Sequence, residues 1–571
     1  MKKNTISNYV KGVVLSVGLI VASSCSLEDN LVNPSALSPD QAGSEFIFNG
    51  LQLNFSGFFL TTTQIGMDNT RMLAMFGATY ENAYTANNFN GVWTSAYSDV
   101  MVNANLLLVK STDDPATTAS EYNAFYQGVA KTMKAYVLLT LVDFFGDVPY
   151  SQAFNTADFK PTVDTGVTLY AEALTLLNDA VVDYDAVDAS TVKPAQDMFY
   201  AADHTKWRRL AKTIKMKLFL NRRLVDVAGS TAGIAALLTE GDLINSTATE
   251  FSFKAPANSV SNPNTYHPWF FNNYQTSAGQ YMSNSYMKEM FDGKGTARDP
   301  RMRFYFYRQV TSPTTDVNDL TCSSATSPPA HYPPGTAYCQ LPAGYWGRDH
   351  LNNEGTPPDG LKRTTYGLYP AGGKFDASNN QPVDVAGALA AGAAGKGILP
   401  IMMSFFTQFM KAEYELTLNA NPVQARVDLE AATRASITRV ITFNPAQTPT
   451  TGAVANTFNA TAVQNYVNVV LANYDLVTPI APNATQAENR MDVIAKEYWV
   501  AMWGNGVEAY NMVRRTGKPA NLQPALAPNP GEFYRSFTYP GIYVFRNSNA
   551  VQKPNNTVKV FWDTNPDGFV K

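Results

Sequence analysis

Between Tyr122 and Phe144 the apolar positions fall at Tyr122, Phe125, Tyr126, Val129, Met133, Tyr136, Val137, Leu141 and Phe144. This is the i, i+3, i+4, i+7 spacing of a helix that buries one face, sustained over six turns. Thr118 to Glu121 offers a capping box at its start, and Gly146 with Pro149 ends it. The same period predicts a helix over 167–185 and another from Trp207 to Val225, whose Lys and Arg residues fall mostly on the opposite, solvated face. Asn421-Pro422 opens a further helix to about Ile441, Asn fitting the N-cap and Pro the first helical position. Two more are predicted over 463–474 and 487–502, and Gly504 and Gly506 interrupt the last before 507–515. From about 245 to 400 the period disappears into Gly, Pro, Asn and aromatic residues. Past Pro519 only short strand-like runs occur, at 542–545 and 558–562. The expected fold is therefore mainly α, with helices over about 92–226 and 400–515 bracketing a large, loop-rich centre over 245–399.

Paired helices of this length resemble tetratricopeptide hairpins, although repeat units cannot be counted from the pattern. The first residues have another character. A basic segment to Lys11 precedes an apolar segment eleven residues long (12–22) and Ser23-Ser24-Cys25. That is the layout of a secretory signal peptide, too short to span a membrane. Its end resembles a bacterial lipobox, in which the Cys becomes the lipidated first residue. Glu28 and Asp29 follow, similar to the surface-export signal of Bacteroidetes lipoproteins. The expected organisation is a signal peptide over 1–24, a lipidated Cys25 with a tether over 25–44, and one domain over 45–571. With Cys25 acylated, Cys322 and Cys339 remain in a Pro/Ser/Thr-rich loop, and an exported compartment permits a disulfide between them.

Composition narrows the function. Charged residues make up 16 % of the chain, aromatics 12 %, and the net charge is −4. Clustered Lys and Arg for a phosphate backbone are missing, so nucleic acid is excluded as a partner. High aromatic content excludes intrinsic disorder. No His-Glu-x-x-His, Gly-x-Ser-x-Gly or Walker sequence occurs, and the Gly/Ala run from Ala386 has the wrong spacing for phosphate. Four scattered His residues and no Cys-x-x-Cys argue against a metal. Asp563-x-Asn565-x-Asp567-Gly568 fits only half of an EF-hand loop and reads as a polar turn. Neither cofactor nor metal is expected.

Several motifs, in order along the chain, resemble the SusD/RagB outer-membrane lipoproteins. They are Trp93-x3-Tyr97 with Asn103-Ala104-Asn105, the helix end Asp143-Phe-Phe-Gly146-Asp147-Val-Pro149-Tyr150, and Arg298-Asp299-Pro300-Arg301. Later come Arg363 to Gly373, Trp503 to Tyr510, and Arg514-Arg515-Thr-Gly517-Lys-Pro519. Glu488-Asn-Arg490 and Trp503 to Tyr510 depart from the Glu-Arg and Phe-Glu-Gly pattern of many relatives, which points away from the starch-binding prototype. The resemblance implies a helical scaffold of tetratricopeptide type and no enzymatic activity. It further implies a surface lipoprotein that captures an oligosaccharide or peptide as the lid of a SusC-like TonB-dependent β-barrel transporter.

Sugars present C–H faces and neutral hydroxyls, so a matching site needs flat aromatic platforms beside amides that both donate and accept. Two stretches have that composition, 68–89 and 266–281. The candidate ligand contacts are Tyr80, Asn82, Tyr84, Trp269, Asn272 and Tyr274, with the cluster Trp346-Gly-Arg348-Asp349-His350 as a secondary candidate. Trp93 and Tyr97, one turn apart, are expected in the core. Asp143 and Asp147 are expected to bond nearby backbone, and Arg514 and Arg515 to join an ion-pair network. The rival readings are a surface polysaccharide-degrading enzyme and a tetratricopeptide-type adaptor without a small ligand.

Overall fold

In the computed structural model the described residues are 42–570, apart from 113–121, 156, 257–265, 276–277, 326, 356, 384–389 and 444–459. The expected signal segment, Cys25, the capping box at 118–121 and the start of the run from Ala386 lie outside them.

The first described element is a 26-residue helix, α1 (Ser44–Asn69), which the periodicity did not predict. It buries Phe48, Leu51, Gln52, Phe55, Ser56, Phe58 and Phe59 on several sides, so no single apolar stripe marks it. After α2 (Val102–Lys110), one run of neighbouring helices follows: α3 (Ala124–Phe145), α4 (Gly166–Asp185), α5 (His204–Arg222) and α6 (Val227–Glu240). Each packs on the next. A second run comprises α7 (Ser404–Thr417), α8 (Pro422–Ile441), α9 (Ala460–Asp475) and α10 (Gln486–Ala501), again in successive contact. This is the expected mainly α architecture of helical hairpins around an irregular centre. The expected helix starts carry their caps. Asn421 Oδ1 accepts from Gln424 N at 3.1 Å, and Thr485 and Glu488 form a capping box.

Buried charges lock the two runs together. Glu413 on α7 meets Arg515 at 2.9 Å and Arg223, just beyond α5, at 3.2 Å. Lys217 on α5 pairs with Glu508 at 2.5 Å, both 1 % exposed. Glu508 and Arg515 belong to α11 (Gly506–Thr516), which crosses α1. There a Cβ on Gly66 would lie 2.1 Å from the Gly506 carbonyl oxygen, and one on Gly506 would lie 2.1 Å from Met67 N. The helices touch backbone to backbone, which only glycine allows. Thr63 Oγ1 accepts from Gly506 N at 2.6 Å and reaches the Gly504 carbonyl at 3.1 Å, so the double-glycine interruption is a packing device.

Sheet is scarce among the described residues. One antiparallel pair joins Phe251–Lys254 to Ile398–Met402, and another joins Phe306–Tyr307 to Thr365–Tyr366. The strand-like run at 542–545 is instead a short helix, α12 (Gly541–Arg546), and 558–562 forms no strand. In a six-residue segment, docking against Asn90 and Trp93 outweighs β-propensity. Cys322 and Cys339 are bonded, with S–S at 2.11 Å. Among the described residues no helix is long and apolar enough to cross a membrane.

Candidate functional site

The fold brings the two aromatic–amide stretches together. Leu73 and Met282 form an isolated antiparallel bridge, and Ala74 N donates to the Tyr281 carbonyl at 3.0 Å. At this seam the Phe76 ring stands edge-on to Tyr281, with centroids 5.4 Å apart, and is 41 % exposed. Tyr281 is held from behind. Its hydroxyl donates to Asp359 at 2.8 Å, and the guanidinium carbons of Arg363 and Arg348 lie 3.6 and 4.8 Å from its ring centre. Arg363 pairs with Asp359 at 2.6 Å, and Arg348 with Glu354 at 2.7 Å. Burial still raises the Asp359 carboxyl above its usual range, with Arg363 opposing.

The six candidate residues divide here. Asn82 and Asn272, one on each of the two stretches, are exposed. Asn82 adjoins Ala83, whose backbone would lie 2.6 Å from a Cβ on Gly77, and the Asn272 carbonyl would lie 2.7 Å from one on Gly279. Gly77 has φ +127°, so the turn after Phe76 requires glycine. Tyr84 is half-buried, and its hydroxyl donates to Asp68 at 2.5 Å. Burial raises the Asp68 carboxyl from 3.8 to about 7, with the Tyr84 hydrogen bond opposing.

The other three correct the expectation of an open platform. Tyr80 is 1 % exposed, its hydroxyl bonded to Arg71 at 2.7 Å and to His350 Nε2 at 3.1 Å. Trp269 is 1 % exposed and stacks on Tyr366 at 5.1 Å and 7°. Tyr274 is fully buried, stacked on Phe270 and donating to the Tyr366 carbonyl at 2.6 Å. No face of these rings opens to a ligand. Trp269 and Tyr274 belong to a short helix (Pro268–Tyr274) whose N-cap is His267; its Nδ1 accepts from Trp269 N at 3.2 Å. Burial lowers the His267 imidazole to about 3, so it is neutral and able to accept. The secondary cluster is also internal: Trp346, Arg348, Asp349 and His350 are each 2 % exposed or less.

A second aromatic surface lies elsewhere. Trp93 and Tyr97 form the floor of an open groove of about 620 Å³, walled by α2, the segment 149–161 and α12. Ring centroids of Trp93 lie 4.8 Å from Tyr97 and 4.9 Å from Tyr543. Tyr97 sits in a π-helical turn (Ser95–Met101), and its hydroxyl donates to the Pro149 carbonyl at 2.6 Å. Phe154 and Phe159 complete the walls, Phe159 being 79 % exposed. Trp93 lies in the core as expected, with Tyr97 packed against it, and both also line the groove. The repeated aromatic spacing was visible in the sequence, but the wall that makes it a groove comes from α12, some 450 residues away. A larger cleft of about 1000 Å³ is lined by Lys288, Lys294, Lys496 and Lys518. The first three are paired with carboxylates, and Lys518 donates to Asn483 Oδ1 at 2.5 Å.

Comparison with known proteins matches residues 42–322 to a SusD-like family described as starch-binding and associating with the outer membrane. Solved SusD homologues share the fold. A SusD-like protein of Bacteroidetes AC2a superposes with TM-score 0.62 at 15 % identity, covering 92 % of this chain and all of the other. A chitin-binding SusD homologue from Flavobacterium johnsoniae gives 0.61 at 18 %, over 91 % and 99 %. A SusD/RagB family protein from Bacteroides thetaiotaomicron gives 0.60 at 20 %, over 92 % and 100 %. Residues 42–322 thus match the SusD-like family, and the chain has the fold of SusD/RagB proteins. No curated protein matches it in sequence.

Apart from Trp93-x3-Tyr97, the motifs this chain shares with SusD-like proteins make internal contacts. Arg301 of the Asp-Pro-Arg motif is fully buried, bonded to Asp299 at 2.6 Å and Glu497 at 3.3 Å. Asp143 accepts from the side chains of Tyr170, Trp562 and Asn511 rather than from backbone, whereas Asp147 accepts from Gly166 N at 2.7 Å. Arg515 joins the expected ion-pair network. Arg514 instead stacks on Tyr510, 3.7 Å from the ring centre, and donates to the Arg535 carbonyl at 2.8 Å. The Asp563 carboxylate is bonded to Arg535 at 2.6 Å, which leaves the EF-hand-like turn without its first ligand.

Proposed function

We propose that this SusD-like chain is a cell-surface binding protein, lipid-anchored to the outer membrane through Cys25, that captures a neutral oligosaccharide. It then delivers the sugar, as a lid, to a SusC-like TonB-dependent transporter. The observation that carries the reading is the seam. An exposed aromatic ring, Phe76, is braced by Tyr281, and the two stretches that meet there also expose the amides Asn82 and Asn272. A sugar ring laid on Phe76 would shed water from its C–H face, while the amides exchange hydrogen bonds with its hydroxyls. The braced ring limits the entropy lost on binding. The family description and the chitin-binding homologue support a glycan over other ligands.

The test is calorimetry of the mature chain against cello-, xylo-, malto- and chito-tetraoses and a peptide panel. Binding of at least one tetraose, without release of new reducing ends, is the expected result. Cleavage of the sugar would replace the reading with a surface enzyme, and binding of peptides alone would change the ligand class. Co-purification with a β-barrel transporter from outer membranes tests the delivery role.

A further inference from the structure

The groove over Trp93 and Tyr97 is separate from the seam, and three features fit it for a ligand. First, its floor is aromatic: Trp93 is flanked by Tyr97 and Tyr543, inclined to it by 44° and 33°. Of the seven tryptophans, Trp93 is the most accessible at 9 %, the others lying between 0 and 4 %. Second, the walls are pinned. Asn547 Nδ2 donates to the Pro161 carbonyl at 2.7 Å and Asn549 Nδ2 to the Lys160 carbonyl at 2.6 Å, which ties α12 to the segment bearing Phe159. The Tyr97–Pro149 bond fixes the floor to the same segment. Such π-helical turns frequently occur at functional sites. Third, the rim is neutral in sum but able to hydrogen-bond: Asp158 and Arg546 balance, and both are exposed beside exposed Asn155.

We propose that this groove is a second saccharide-binding site, taking a short stretch of a neutral glycan by ring stacking on the exposed Phe159 and the half-buried Tyr97, beside Trp93, with Arg546, Asp158 and Asn155 meeting its hydroxyls. The proposal rests on the reading that the chain binds glycans. Rim charges of opposite sign on a neutral aromatic floor favour an uncharged, hydroxyl-rich ligand over an anion or cation. About 620 Å³ is the size of a site for a ligand of a few rings. A chain with two separated stacking sites would hold one glycan at two points, and its avidity would rise with glycan length once the chain spans both.

The experiment uses the mature chain and the same tetraoses, read by calorimetry and by acrylamide quenching of tryptophan emission. The expected result is two sugars per chain, with quenching reduced at saturation and no such protection in Trp93→Phe. The double variant Phe159→Ala/Arg546→Ala changes only exposed side chains. It should fold as the parent does by circular dichroism, yet weaken the groove site at least tenfold. Phe76→Ala should leave Trp93 protection intact. One sugar per chain, lost in Phe76→Ala and never protecting Trp93, would overturn the second site while leaving glycan capture standing. Protection of Trp93 by an aromatic peptide and by no sugar would overturn it in favour of a protein partner. If no tetraose binds by either readout, glycan capture fails and the second site with it.

Discussion

At the seam most aromatic rings face inward while Asn82 and Asn272 face water; in the groove one ring, Phe159, stands almost fully exposed over a floor of buried Trp93 and half-buried Tyr97. Tyr80, Trp269 and Tyr274 are at most 1 % exposed, whereas Phe159 is 79 % exposed and Trp93 and Tyr97 floor an open cavity. The stretches 68–89 and 266–281 look richer in binding chemistry than Trp93-x3-Tyr97 does, yet they keep less of it at the surface. Their aromatic content mainly wedges the irregular centre against the helices; among the described residues Phe76 is the one ring of the two stretches that is exposed, with Tyr84 and Phe271 half-buried. Composition identifies rings able to stack on a ligand. Whether they do depends on which neighbours arrive from distant parts of the chain.

The comparison breaks most visibly at the charges behind Tyr281. Asp359 is fully buried and compensates Arg363. Asp359→Ala leaves that guanidinium buried without its partner, a loss of about 3–5 kcal/mol. Chemical denaturation should show it, together with loss of binding at the seam. A midpoint unchanged within error would mean that the seam is not braced by this pair. Trp269→Ala is the next test. Its indole is core, so the expected effect is a loss of about 3–5 kcal/mol in stability through the cavity left against Tyr366 and His267. Loss of affinity with full stability would put the ring back at the ligand.

Phe76→Ala probes the same region from outside. Because the ring is 41 % exposed, removing it should cost at most about 1 kcal/mol of stability. Tetraose affinity should fall about tenfold, equivalent to about 1.4 kcal/mol of stacking. An unchanged dissociation constant would remove Phe76 from the site and leave the groove as the surviving aromatic surface.

The legible part of this molecule is what period and caps encode. The helix after Asn421 starts at its expected cap, and those expected from about 167 and 487 by period begin one residue earlier, behind Thr165 and Thr485. What escaped is where that code is blurred. Helix α1 buries Gln52, Thr62 and Thr63 along with its Phe residues, so polar letters sit at core positions. Helix α12 is too short for a period and is held by Asn90 Oδ1, which accepts from Ile542 N at 2.9 Å. Burial of Trp269 had a readable signal, since His267-Pro268 forms an N-cap and first turn that lays the next residues against the core. Burial of Tyr80 had none, because Arg71, His350 and Phe533 around it are set by tertiary structure.

The smallest expected effect separates the two regions by pH. Under the seam, burial raises the Asp68 carboxyl from 3.8 to about 7, while the Tyr84 hydroxyl donates to it. The folded chain then holds this proton more tightly than the unfolded chain does. Between those two values the folded state binds more protons, so the contribution of Asp68 to stability is greatest below pH 4 and falls as pH rises to about 7. Asp68→Asn keeps an oxygen to accept from Tyr84 and removes the titration. Its stability relative to the parent should therefore improve steadily from pH 4 to pH 7 and level off above, in urea titrations at each pH. Parallel profiles would show that Asp68 is solvated enough to ionise normally. The seam would then be more open to water at Tyr84 than its packing against Tyr534 indicates. A tetraose seated on Phe76 would then compete with that water for Tyr84, so the pH profile measured with and without sugar reports whether the ligand reaches this far.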